Sequence, residues 1–254
     1  MMRFILCALL MSGYAWADAK KISTGDPKTD EAIVDIQVKR AKTTMCQARL
    51  RTIYKVMDQE IEEVLDGYFK APGLISLGVS QEGKWVPSMV SDVGMLWTYD
   101  AEEKTVTKFN RGRVYRETDL EVDAYVLDPL RPFRGVVWES IRLKNPADNA
   151  TYIFEARLKP NQLSAQLPDG LVTVTLSISS KDGLLRAGQA FDAQGNEVVV
   201  RRFEDVRLEP KIPDSIFEFV IPSGTHVIDG TGDAIDLLKS LNPSDEEERR
   251  PTAK

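Results

Sequence analysis

From Phe191 to Asp229 the chain reads FDAQGNEVVVRRFEDVRLEPKIPDSIFEFVIPSGTHVID. Asn196, after Gly195, closes a turn, and Glu197 to Leu208 alternates loosely around Val198, Val200, Phe203, Val206 and Leu208. Pro213 and Asp214 open a second turn. Ile216 to Ile221 alternates again, with Phe217 and Phe219 on one face, and this predicts a final strand. Pro222 and Gly224 stop it, because proline has no N–H to give a ladder and glycine adopts positive φ cheaply. Taken alone, the stretch reads as the edge of an antiparallel sheet.

Upstream the same rhythm repeats. Leu171 to Ser179 is the clearest strand, with Val172, Val174, Leu176 and Ile178 alternating against Thr173, Thr175 and Ser177, so the sheet has one apolar and one wet side. Leu184–Phe191 and Tyr152–Leu158 flank it. Further back, Gly67–Phe69, Leu74–Val79, Trp85–Val90, Met95–Tyr99 and Thr105–Phe109 follow at about ten-residue spacing with short turns, which predicts a meander. Gln47–Leu65 fits two templates. Ile53, Met57, Ile61 and Leu65 recur at helical spacing, whereas Leu50, Tyr54 and Val56 partly alternate.

Helical signals are few. Asp30 suits an N-cap for Glu31 to about Lys42, with Ala32, Ile33 and Ile36 in an apolar stripe. Asp128-Pro129 suits the start of an interrupted amphipathic helix carrying Leu130, Phe133, Val137 and Ile141; a buried irregular connection fits the pattern equally. A short helix is expected over Asp233–Leu241, followed by a charged, disordered tail.

Residues 1–17 carry one positive charge, an apolar core from Phe4 to Met11, and Ala15-Trp16-Ala17, which predicts a secretory signal cleaved after Ala17. The domain expected is 18–239, with 240–254 as tail. Removing the leader changes the net charge from −6 to −7 (−6 minus +1). It also leaves Cys46 as the single cysteine, so no internal disulfide can form. The net charge of −6 argues against a nucleic-acid binder, which needs a basic face to meet phosphates, and does not exclude local basic patches.

Little in the sequence points to catalysis. His226 is the one histidine, and no GxSxG elbow accompanies it. There is no CxxC, HxxxH or Gly-rich phosphate loop, so neither metal nor cofactor is expected. Glu62-Glu63, Glu102-Glu103 and Asp123 read as solvated turn and surface charges. What remains is apolar surface, which becomes either a plain core or a cavity according to how closely the helices pack.

The order of motifs resembles the LolA-like periplasmic lipoprotein-carrier family. The resemblance is carried by Leu65-Asp66-Gly67-Tyr68-Phe69 before Ala71-Pro72, and by Val90-Ser91-Asp92 before Leu96-Trp97-Thr98-Tyr99-Asp100. It continues in Phe191-Asp192-Ala193-Gln194-Gly195-Asn196, Phe203-Glu204-Asp205-Val206, Ile212-Pro213-Asp214-Ser215-Ile216-Phe217-Glu218-Phe219 and Pro222-Ser223-Gly224. Together these cover about Asp30 to Asp229. Ala71-Pro72 departs from the Arg-Pro usual in the carriers. The resemblance implies an α+β fold: an unclosed antiparallel β-barrel of about eleven strands, with a helical lid over a hydrophobic cavity, and strands over Gln47–Leu65. It implies a non-enzymatic, periplasmic, monomeric binder of lipoprotein acyl chains or lipid, with membrane-associated donor and acceptor proteins as partners. On this reading Trp97, Tyr99, Phe154, Val174, Leu176, Phe217 and Phe219 line the cavity, and Phe133 and Val137 belong to the lid. An envelope sensor or structural interaction module on the same fold is the alternative.

Overall fold

The period-two alternation dominates the backbone as it does the sequence. A computed structural model describes residues 23–56, 59–71, 73–92, 94–118, 138–144, 150–158 and 172–241. After helix α1 (Pro27–Arg40) come β1 (Met45–Val56), β2 (Gln59–Lys70), β3 (Leu74–Gln81), β4 (Lys84–Ser91), β5 (Met95–Asp100) and β6 (Thr105–Asn110). Helix α2 (Arg111–Thr118) follows, then β7 (Trp138–Lys144), β8 (Thr151–Leu158), β9 (Thr173–Ser179), β10 (Leu185–Phe191) and β11 (Glu197–Leu208). A 3₁₀ turn (Asp214–Phe217), β12 (His226–Asp229) and α3 (Thr231–Leu241) close the described chain.

All twelve strands form one sheet in the order β12-β6-β5-β4-β3-β2-β1-β11-β10-β9-β8-β7. Neighbours are antiparallel except β12, which runs parallel to β6. The outer strands β12 and β7 do not pair with each other, so the sheet is an unclosed half-barrel with few helices. The long β1–β2 hairpin is the centre, with Met45 opposite Lys70 through to Val56 opposite Gln59. It resolves the Gln47–Leu65 ambiguity in favour of strands. Isolated side-chain periodicity could not decide this; ladder partners on both sides did.

Cross-strand partners share a face, so the register sorts every side chain. One face carries Cys46, Ala48 and Leu50 of β1, Phe69 of β2, Ile75 of β3, Phe154 and Ala156 of β8, Leu176 and Ile178 of β9, and Phe203 of β11. Helix α1 lies on this face and buries Ala32, Ile33 and Ile36 against it. Farther along the same face, Ala234 of α3 packs with Leu96 of β5 and Phe109 of β6. We call it the helix face.

Helix α1 is tied down at several points. Asp26 is its N-cap and Pro27 opens its first turn, one turn earlier than Asp30 predicted. The fully buried Thr29 Oγ1 donates to Asp26 (2.5 Å) and accepts from the backbone N–H of Leu143 on the sheet-end strand β7 (3.0 Å). Asp35 accepts from Lys39 Nζ (2.6 Å) and from the Tyr152 hydroxyl on β8 (2.8 Å). At Gly183, φ is +71°, and a Cβ there would stand 2.5 Å from the Ile36 carbonyl oxygen, so only glycine lets the β9–β10 turn touch the helix.

Two sequence expectations need correction. Ile216–Ile221 is not a strand: Asp214–Phe217 forms a 3₁₀ turn, with Ile216 N–H donating to Pro213 O (3.1 Å). β12 is the strand that pairs with β6, while Phe219 stacks on Trp97 of β5 instead of joining a ladder. Residues 138–144 are strand β7 rather than the end of a helix, because Ile141 and Leu143 find ladder partners in Ala156 and Phe154. The rest of that expected helix, with Phe133 and Val137, lies outside the described residues, as do residues 1–17 and Asp123. Among the described residues the strands number twelve, in keeping with the expected half-barrel of about eleven.

Candidate functional site

Along β1 the helix face changes character. At its Cys46 end the row Leu50–Leu65–Phe203 belongs to or adjoins the sealed core under α1. Toward the β1–β2 hairpin the next row apart from Thr52 is Tyr54 between Ile61 of β2 and Val199 of β11. These side chains are no longer sealed: Tyr54 and Val199 are half-buried and Ile61 is 44% exposed. Val199 pairs with Ala190, and Ala190 with Val174, so the half-open apolar strip continues across β10 and β9. On the other flank, Val79 pairs with Val86 on the same face, both half-buried.

Between sealed core and open strip lies one polar row. Thr52 stands opposite Glu63 on β2 and Arg201 on β11. Arg201 Nε donates to Thr52 Oγ1 (3.2 Å), and Thr52 is 3% exposed. Burial pushes the Glu63 carboxyl up from the ordinary carboxylate range, against the opposing pull of Arg201. The sequence reading of Glu62-Glu63 as solvated charges therefore holds for Glu62 only. Glu62 pairs with Arg51 on the opposite face, in a ladder that includes Arg49–Asp66 (3.1 Å), Arg51–Glu204 (3.2 Å) and Lys55–Glu197 (2.8 Å). Exposed pairs of this kind contribute about 0–1 kcal/mol each and serve mainly to keep that face wet.

The aromatic residues expected to line one cavity are divided by the register. Phe154, Val174 and Leu176 lie on the helix face. Trp97 pairs with Val90, and Tyr99 with Val106, on the opposite face. Phe219 stacks on Trp97 there (centroids 5.5 Å apart, planes 12°), and Phe217 is buried in the turn that precedes it. Tyr68 and Trp85 meet edge to face at 5.0 Å on this same side, where Trp85 Nε1 donates to Ser76 Oγ (3.2 Å). Lys70 Nζ holds Asp214 (2.6 Å) and so pins the connecting segment over the sheet. The structure thus brings Trp97 and Phe219 together on the opposite face, apart from Phe154, Val174 and Leu176. Sequence reasoning had no access to the Thr52–Glu63–Arg201 row; only the register of three strands distant in sequence brings it together.

His226 opens β12, exposed, its backbone N–H donating to Lys104 O (2.9 Å). Cys46 is buried, and burial pushes its thiol up to about 12. Among the described residues no group of three or more His, Cys, Asp and Glu side chains is placed to hold a metal ion. No helix among them is long and apolar enough to cross a membrane.

No family model matches the chain, and no curated protein matches it. Solved structures do. An uncharacterized conserved protein from Thermus thermophilus overlays with a TM-score of 0.51 at 11% identity, covering 80% of this chain and 99% of that one. Structures similar to this chain also include a LolA superfamily protein. That protein, NE2245 from Nitrosomonas europaea, has a TM-score of 0.34 at 10% identity, over 75% and 97% of the two chains. Lipoprotein LppX from Mycobacterium tuberculosis has a TM-score of 0.44 at 12% identity, over 74% and 98%. At these identities the likeness is one of fold alone, and it is the Thermus overlay, with the sheet order itself, that carries it.

Proposed function

We propose that this chain is an exported, non-enzymatic binder or carrier of acyl chains, of lipid or of a lipoprotein. The observation that carries the proposal is the half-open apolar strip on the helix face, where Tyr54, Ile61, Val79, Val86, Val174 and Val199 are left incompletely covered beside a sealed core. A folded chain gains by covering such residues. A sheet that leaves them available at one end suits a partner of the same chemistry. The energetic demand is large: at ~0.8 kcal/mol per methylene, a chain of about sixteen carbons costs roughly 12 kcal/mol to expose to water. The leader-like residues 1–17 support action outside the cytoplasm, in the periplasm, where membrane-associated donor and acceptor proteins would load and unload a monomeric carrier.

Extraction of the purified protein and mass spectrometry of the extract tests this, together with uptake of a fluorescent fatty-acid derivative. Co-purified acyl species and saturable uptake are expected. An empty extract with no uptake would reject it. A second reading, an interaction module, is favoured by Val220, Ile221 and Val227, which are exposed large apolar residues flanking the Pro222–Thr225 turn at the β12 edge. It predicts that polar replacements at Val220 and Ile221 abolish capture of an envelope protein and leave acyl uptake unchanged.

A further inference from the structure

A pure hydrocarbon store has no use for charge, yet the polar row sits at the boundary of the apolar strip. Glu63, Thr52 and Arg201 occupy three adjacent strands at one level, with Leu65–Leu50–Phe203 on one side and Ile61–Tyr54–Val199 on the other. Strands lie about 4.8 Å apart, so the backbones carrying Glu63 and Arg201 are about 10 Å apart across Thr52. Among the described residues, the Glu63 carboxylate has no hydrogen-bond or ion-pair partner, and the Arg201 guanidinium engages Thr52 through Nε only. Arg201 pairs with Gly188 on β10, which carries no side chain to crowd the guanidinium. A half-buried carboxylate without a partner is costly, and its neighbour offers spare donors.

We propose that this row binds the polar end of the acyl ligand and selects a neutral group that both donates and accepts, such as an amide. The amide carbonyl accepts from the Arg201 guanidinium and its N–H donates to the Glu63 carboxylate, while the hydrocarbon lies along Tyr54, Ile61 and Val199. A carboxylate head would meet Arg201 favourably but face the charge of Glu63. An ammonium head would suit Glu63 but face Arg201. Only a dipolar head satisfies both ends of the row. This inference rests on the acyl-binding reading.

Competition against bound anilinonaphthalenesulfonate tests it, with lauramide, laurate and dodecyltrimethylammonium as displacing ligands. In the wild-type protein lauramide should compete at least about tenfold better than either charged ligand, about 1.4 kcal/mol of discrimination. Arg201→Met should erase the advantage over dodecyltrimethylammonium, Glu63→Gln should erase that over laurate, and the double variant should bind all three alike. Equal competition by lauramide and laurate in the wild type would overturn the inference while leaving acyl binding intact, and it requires no variant to fold. A preference for lauramide that survives in the double variant would overturn it equally. Failure of every ligand to compete would reject the acyl-binding reading and the inference with it.

Discussion

Replacing Gly183 by alanine tests how the principal helix is docked. Gly183 has φ +71°, where a Cβ costs about 1–2 kcal/mol for steric reasons alone. Its Cβ would also stand 2.5 Å from Ile36 O and 2.9 Å from Arg40 N. Both atoms are backbone, so no rotamer change relieves the contact. Restoring the oxygen contact to 3.4 Å, the lower edge of ordinary van der Waals distance, requires α1 to retreat by 0.9 Å (3.4 minus 2.5). A retreat of that size lifts Ile33 and Ile36 from a sealed core, and overpacking of this sort costs about 1–3 kcal/mol. The sum is about 2–5 kcal/mol. Gly195 supplies the control, since its φ is +83° and a Cβ there meets nothing within 4 Å. Gly195→Ala should therefore cost only the conformational part, about 1–2 kcal/mol. Urea unfolding of both variants, followed by tryptophan fluorescence, measures the difference, because Trp138 packs against the core that α1 covers. Equal losses for Gly183→Ala and Gly195→Ala would refute the docking described for α1.

Glu63→Gln should stabilise the protein at neutral pH. Its folded carboxyl is raised by burial, so the group favours folding below its unfolded value near 4.5 and that contribution is lost as pH rises through the folded value; the gain over wild type should fade on acidification, as read from urea midpoints at several pH values. Tyr152, held up to about 12 by its hydrogen bond to Asp35 and by burial, should ionise well above free tyrosine in absorbance titration. Its contribution is complete below the unfolded value near 10 and lost as pH rises through about 12, and Tyr152→Phe should cost about 1 kcal/mol at pH 7. Cys46 should react with a thiol reagent only on unfolding, and rapid labelling of the native protein would contradict its burial. The Trp97–Phe219 stack should show a coupling of about 0.5–1.5 kcal/mol in a double-mutant cycle on stability, and neither alanine variant should alter acyl uptake if ligand occupies the helix face.

Strand positions were legible in the sequence wherever alternation was clean, as in β9, because one wet face writes itself into every second residue. The end of the chain was misread for a related reason. Ile216–Ile221 alternates as a strand does, but alternation records only which side chains meet apolar surface. Phe217 and Phe219 meet it by lying across the sheet, and nothing local distinguishes this from pairing along it. Likewise Leu130, Phe133, Val137 and Ile141 recur at helical spacing, yet Ile141 is placed by its partner Ala156 on β8. Helix α2 had no readable signal, since Val114 alone of its eight residues is buried.

The site was less legible than the fold because it depends on register, and register is a relation between distant segments. Nothing in the composition of β1, β2 or β11 says that Thr52, Glu63 and Arg201 share a level; a slip of one residue in the β1–β2 pairing would exchange Glu63 for Glu62 on the helix face, and one in the β1–β11 pairing would remove Arg201 from it. The same fact constrains what the row can be. A misplaced carboxylate costs free energy that one substitution to leucine would recover. The apolar rows of Cys46 with Phe69 and of Leu50 with Leu65 and Phe203 already fix the register, because a slip would turn them out of the core, and they do so without Glu63. Glu63 and Arg201 are therefore not needed to align the strands, and their position at the boundary between sealed core and open strip points to a bound group rather than to folding.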